Sequence, residues 1–123
     1  MRAVFLALAL AAGAAGAGCA TTAASADAPR SVATHVDGDE ARRLVERGAL
    51  LVDVRSPAEY AAGHIEGAVN IHVEELAERA DEVPADQPVV VYCGTGRRSA
   101  RAAAILAAAG HDRVYDLGAM ENW

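Results

Sequence analysis

The chain has 123 residues, 53% of them apolar and only 4% aromatic, with a formal charge of −6 at pH 7 and arginine as its sole basic residue type apart from histidine. Less a removable leader, that length holds one core of roughly 95 residues and no second domain. The acidic balance and the lack of a basic stripe exclude a general nucleic-acid surface, and the apolar excess is mostly alanine, which points to helices packed closely on a sheet.

Met1-Arg2, an apolar run over 3–12 and then small residues have the layout of a secretory leader over 1–26. The apolar run is too short for a permanent membrane span. Two processing sites compete. One follows Ala24-Ser25-Ala26; the other precedes Cys19, where Gly16-Ala17-Gly18-Cys19 resembles a bacterial lipobox except that Gly16 stands where a larger aliphatic residue is preferred. The second route would lipidate Cys19 and attach the chain to a membrane. Both lead to the periplasm or cell envelope, and both leave Cys93 as the one free thiol of the mature domain, without a disulfide framework. Residues 27–33 read as a flexible tether and 34–123 as a single domain.

In chain order, 32–36 is expected to form an edge strand, and Asp37-Gly38-Asp39 supplies turn and cap chemistry for a helix over 40–47, with Ala41, Leu44 and Val45 as its apolar stripe and Gly48 as its stop. Residues 49–52 read as a strand covered on both faces, with Asp53 at its end. Ser56-Pro57-Ala58-Glu59 is a capping box with proline at the first helical position, so a short helix should run to Ala62 and stop at Gly63. A strand over 68–71, a helix over 73–79 and a loop over 81–87 follow. Then come a strand over 88–92, a helix over 99–109, a strand over 114–117 and the start of a last helical turn at 120–123. Strands alternating with helices predict an α/β domain with a mainly parallel sheet, whose site gathers at the C-terminal ends of the strands. That rule brings Asp53 and Arg55 to the rim that carries Cys93.

The stretch Cys93-Gly94-Thr95-Gly96-Arg97-Arg98-Ser99 joins an apolar strand to an alanine-rich helix. Such a loop turns successive N–H groups and a helix dipole toward one point, and here the point is a thiol. An ordinary thiol of pKa near 8.5 is only about 3% thiolate at neutral pH, whereas lowering it to about 6.5 makes it roughly three-quarters thiolate. Gly94 and Gly96 are expected to adopt the backbone angles that turn the amides inward. Ser99 is expected to cap the helix, Arg97 to face solvent, and Arg98 to brace the loop or meet an anion through bidentate hydrogen bonds. Asp53, Arg55 and Glu59 read as an ion pair linking the strand end to the capping box, with donor binding as the alternative. His64 reads as a hydrogen-bonded structural group, and His35, His72 and His111 show no metal-ligand spacing, so neither a metal nor a cofactor is expected.

Leu51-Val52-Asp53-Val54-Arg55-Ser56-Pro57-Ala58-Glu59-Tyr60, continued by 63–71, resembles the N-terminal signature of rhodanese domains; 91–99 resembles their active-site loop and 116–123 their closing segment. The resemblance implies a three-layer α/β fold, a central mainly parallel sheet of about five strands with helices on both faces. It implies a thiosulfate sulfurtransferase, similar to the single-domain periplasmic enzymes, that moves sulfane sulfur from thiosulfate or a related donor to cyanide or a thiol. By position, Cys93 becomes the persulfide carrier. Gly94, Thr95, Gly96, Arg97, Arg98, Ser99 and Arg55 become the donor-binding residues of an expected monomer. Two rivals stand beside it: a non-catalytic binding module of the same fold, and a cysteine phosphatase or arsenate reductase. The second needs five residues between cysteine and arginine, whereas four separate Cys93 from Arg98, a smaller ring that favours sulfur. The donor stays open, because Cys93-Gly94-Thr95-Gly96 is also similar to the start of mercaptopyruvate sulfurtransferase loops, and Gly94 stands where many thiosulfate enzymes carry a basic residue. The family's final helix is expected to be at most a stub here, with correspondingly less cover on one sheet face.

Overall fold

The computed structural model describes residues 33–123; the leader, Cys19 and all of the tether but Ala33 lie outside them. Short apolar runs between helices leave the chain one economical solution, a sheet with a helix layer on each face. The strands are β1 (Thr34–His35), β2 (Leu50–Asp53), β3 (Val69–Asn70), β4 (Val89–Cys93) and β5 (Val114–Ala119), in the order β1-β5-β4-β2-β3. All four pairings are parallel. The helices are α1 (Gly38–Glu46), α2 (Pro57–Ala62), α3 (Val73–Arg79) and α4 (Arg97–Ala108).

β4 lies at the centre and is buried along its whole length. Its period of two divides the core. Val89, Val91 and Cys93 pack with Val73, Leu76, Ala102 and Leu106 against α3 and α4. Val90 and Tyr92 pack with Ala41, Leu51, Ile65 and Leu117 on the face that α1 covers. The two edge strands have two residues each, which leaves little unpaired backbone open to another chain.

Local chemistry explains the boundaries. Asp37 caps α1 by accepting the Glu40 N–H at 2.9 Å. Ser56 and Glu59 form the reciprocal capping box of α2, with Pro57 at the first turn. The expected elements are present with differences at their ends: α1 starts at Gly38, β3 is cut to two residues and β5 runs on to Ala119. The segment expected as a loop over 81–87 opens with a 3-10 turn, Ala80–Glu82. The helix expected from Ser99 starts at Arg97, with Gly96 as its cap at φ +100°. A Cβ at Gly38, the first residue of α1, would collide with the Asn122 carbonyl oxygen.

Candidate active site

Cys93 ends β4, and the chain reverses into α4 within three residues. Its side chain faces the α3/α4 layer and is 0% exposed. The left-handed backbone at Gly96 turns that residue's N–H back onto Cys93 Sγ at 2.9 Å, and the Ser99 N–H, in the first turn of α4, donates to the same sulfur at 3.3 Å. Burial by itself pushes the Cys93 thiol up, but the N–H groups of Ser99 and Gly96, the Ser99 hydroxyl and the Thr95 N–H outweigh it and hold the thiol below its ordinary value. The α4 dipole acts in the same sense. The Ser99 hydroxyl, near enough to act on the sulfur, gives its proton to the Gly96 carbonyl at 3.1 Å.

Arg98 leaves the first turn of α4 and meets Glu59 of the capping box. Nη1 donates to Oε1 at 2.7 Å and Nη2 to Oε2 at 3.0 Å. Arg97, beside it, is exposed. On the opposite face of the sheet lies a separate polar cluster. Asp53 pairs in register with Tyr92 and accepts its hydroxyl at 2.9 Å, while that hydroxyl accepts the Ile65 N–H at 3.1 Å. Arg55 donates to Asp53 through Nε at 2.9 Å and Nη2 at 2.6 Å, and Nη2 also reaches the Gly63 carbonyl at 2.7 Å. The Arg55 guanidinium is only 8% exposed and lies over the Tyr92 ring, 5.8 Å from its centroid.

A family model described as "Rhodanese-like domain" matches residues 37–123. The chain belongs to the rhodanese family. Thiosulfate sulfurtransferase GlpE of Pseudomonas fluorescens is 41% identical over 86 residues, covering 69% of this chain and 79% of that protein. The uncharacterized protein YqhL of Bacillus subtilis is 42% identical over 86 residues, covering 69% of this chain and 68% of its own. Among solved structures, the human single-domain sulfurtransferase TSTD1 superposes with a TM-score of 0.64 at 34% identity, covering 74% of this chain and 95% of that one. Family and relatives together support sulfurtransferase activity in the broad sense.

Within this rhodanese domain the residues expected at the site fall into two groups. Cys93, Gly94, Thr95, Gly96, Arg97, Arg98 and Ser99 form one loop and helix start. Arg55 makes its polar contacts with Asp53 and Gly63 rather than with the loop, and it lies within electrostatic reach of Glu59 and Arg98. The ion pair expected to tie the strand end to the capping box is instead two pairs, Asp53 with Arg55 and Glu59 with Arg98. Ser99 is not the helix cap; it lies inside α4, and its N–H serves the sulfur. Gly94 does not use a left-handed backbone, so the conformational demand rests on Gly96. His64 donates from Nδ1 to the Tyr60 carbonyl at 2.8 Å and stacks on the Tyr60 ring. Among the described residues no group of three His, Cys, Asp or Glu side chains is placed to hold a metal.

The Glu59–Arg98 pair has a pH signature. The Arg98 hydrogen bonds are the main cause holding the Glu59 carboxyl at about 2 against an ordinary 4.5, with partial burial opposing and Ser56 assisting. A carboxyl lowered on folding stabilises fully above its unfolded value and loses that contribution as pH falls through its folded one. Glu59 remains 41% exposed, which limits the pair to about 1 kcal/mol or less. The urea midpoint of wild type is therefore expected to exceed that of Glu59→Gln by a constant amount from neutral pH down to about 4.5, and the two should converge as pH approaches about 2.

Proposed function

We propose that this rhodanese domain carries sulfane sulfur as a persulfide on Cys93, taking it from thiosulfate or a related donor and passing it to cyanide or a thiol. The observation that carries the reading is the pair of N–H donors, from Gly96 and Ser99, aimed at one fully buried sulfur at the N-terminus of α4. Such donors stabilise an anion without supplying a proton to it.

In the loading step the Cys93 thiolate attacks the outer sulfur of thiosulfate. A bond forms between the two sulfurs, the bond to the sulfonate breaks, and sulfite leaves with the electron pair. The charge on the protein sulfur moves outward by one atom, from Sγ to the persulfide terminus. The Thr95 and Gly96 amides, the Ser99 amide and the Ser99 hydroxyl act on Cys93 Sγ, the atom to which that terminus is bonded. In the unloading step cyanide or a thiolate attacks the terminal sulfur, thiocyanate or a new persulfide departs, and the Cys93 thiolate is restored. Gly94, Thr95 and Arg97, all exposed, border the way in.

Steady-state assays test this reading against its rivals. Thiosulfate with cyanide should yield thiocyanate and sulfite in equal amounts, and 3-mercaptopyruvate should be compared as donor under the same conditions. No turnover with either donor would favour the binding module, and Cys93-dependent hydrolysis of an aryl phosphate would favour the phosphatase. The same proposal places the mature chain, as a monomer, in the periplasm or on an envelope membrane through Cys19. Fractionation after metabolic lipid labelling, and a sedimentation run on the mature protein, check those points.

A further inference from the structure

The mouth of the loop carries a charge arrangement that sulfur transfer in general does not require. Cys93 is buried, while Gly94 and Thr95 above it are exposed. The Glu59–Arg98 pair stands directly beside Gly94: a side chain built there would meet Arg98 Nη2 at 3.4 Å and Glu59 Oε2 at 4.0 Å. Both partners still reach water, with side-chain exposures of 33% for Arg98 and 41% for Glu59. Glu59 arrives from α2, 39 residues earlier in the chain. Its capping duty needs only an acceptor, since Oε1 takes the Ser56 N–H at 3.3 Å and the Ser56 hydroxyl at 3.0 Å. The charge of the carboxylate serves mainly Arg98, with a smaller effect on Arg55.

We infer that Glu59 is a specificity-determining residue whose carboxylate, by neutralising Arg98 beside Gly94, sets the mouth against doubly charged sulfur donors and in favour of singly charged ones. The inference rests on the sulfur-transfer reading above and narrows its donor class. An anion approaching past Gly94 finds the Arg98 guanidinium already bonded to both oxygens of a carboxylate, a parallel arrangement that a second anion must displace. Arg55 is likewise neutralised by Asp53. Arg97 is left as the one cation of the loop without an ion pair among the described residues. Arg97, exposed at the first residue of α4, offers a donor at most one such charge. A second charge on the donor gains no further partner and faces the Glu59 oxygens. Removing one unit charge from beside the donor's path changes attraction by about three- to tenfold for each charge on the donor, for an effective dielectric between those of protein and water.

The test compares thiosulfate, a dianion that releases sulfite, with an aromatic thiosulfonate, a monoanion that releases a sulfinate; both give one sulfane sulfur to the same thiolate. Rates of Cys93 persulfide formation are measured by quenched-flow mass spectrometry at low ionic strength. Glu59→Gln, which keeps an acceptor for Ser56, should raise the thiosulfate-to-thiosulfonate rate ratio by about three- to tenfold, and added salt should shrink that gain. Arg98→Gln, which leaves the carboxylate unopposed, should lower the ratio by a similar factor, and the double variant should return it close to wild type. Ser56→Ala, which removes the cap without changing charge, should leave the ratio in place. If Glu59→Gln and Arg98→Gln slow both donors by the same factor, or move the ratio in the same direction, Glu59 is a brace and the inference is wrong. If the wild type is loaded by neither donor, sulfur transfer itself fails, an outcome separate from an unmoved ratio.

Discussion

Gly96→Val is expected to slow sulfur loading of Cys93 by about 100-fold or more, the range found when one preorganised donor is removed from an anion site. The cause is backbone geometry. Gly96 sits at φ +100°, where a β-branched residue is severely strained. Space is not the obstacle at the first carbon, since a Cβ there would lie 3.8 Å from Gly118 Cα, an ordinary contact. Relaxing φ rotates the Gly96 N–H off Sγ, ending the 2.9 Å bond, and shifts the start of α4, which carries the 3.3 Å bond from Ser99. Two readouts should move together: kcat/KM for thiosulfate falls, and the pH profile for alkylation of Cys93 moves upward as the burial cost is left less opposed. Gly94→Ala is the control. Gly94 needs no left-handed backbone, and its Cβ would meet the mobile end of Arg98 at 3.4 Å, so its alkylation profile should stay near wild type.

Asp53→Ala should have the largest effect on stability, about 3–5 kcal/mol, because it leaves a buried cation without its partner. Asp53 is 0% exposed and accepts from the Arg55 guanidinium, the Arg55 N–H and the Tyr92 hydroxyl. Its hydrogen bonds are the main cause raising the Arg55 pKa, against the opposing effect of burial. Burial is likewise the main cause pushing the Tyr92 phenol up to about 12. For a domain of this size the loss corresponds to a fall in Tm of roughly 12–40 °C, read by calorimetry. Pairing the change with Arg55→Met should recover part of the loss, since an apolar substitute of similar size has no charge to strand. A Tm within a few degrees of wild type for Asp53→Ala would show that the pair contributes no more than an exposed one.

Local signals in the sequence were sufficient for most of the framework. The Ser56-Pro57-Ala58-Glu59 box, the apolar runs of β2 and β4 and the left-handed glycine stops at Gly48 and Gly110 (φ +105° and +103°) place their elements within a residue or two, because each is decided by neighbours in the chain. α4 starts at Arg97 rather than at Ser99 for a physical reason. Serine is a better cap than glycine by propensity, and two arginines are disfavoured at a helix N-terminus, yet the reversal needed to aim N–H groups at Cys93 forces the cap onto Gly96. What stayed hidden was tertiary. Strand alternation puts Tyr92 and Cys93 on opposite faces, and with Tyr92 goes Asp53, its partner across the sheet. Arg55 follows Asp53 into the interior on that side. Glu59 and Arg98 meet across 39 residues, and no spacing rule announces it, although a capping glutamate offers a charge that its cap does not need. The close approach of Gly38 to Asn122 has no local signature either.

The account stands on Cys93 as the carrier of a transferable sulfur. Its most direct test is the intact mass of the protein after incubation with thiosulfate and removal of excess donor, alongside Cys93→Ser. Wild type should gain the mass of one sulfur atom and lose it again on treatment with cyanide, with thiocyanate appearing in equal amount, while Cys93→Ser should gain nothing. A folded wild type that gains no sulfur, or a Cys93→Ser protein that gains and releases it equally well, would contradict the account.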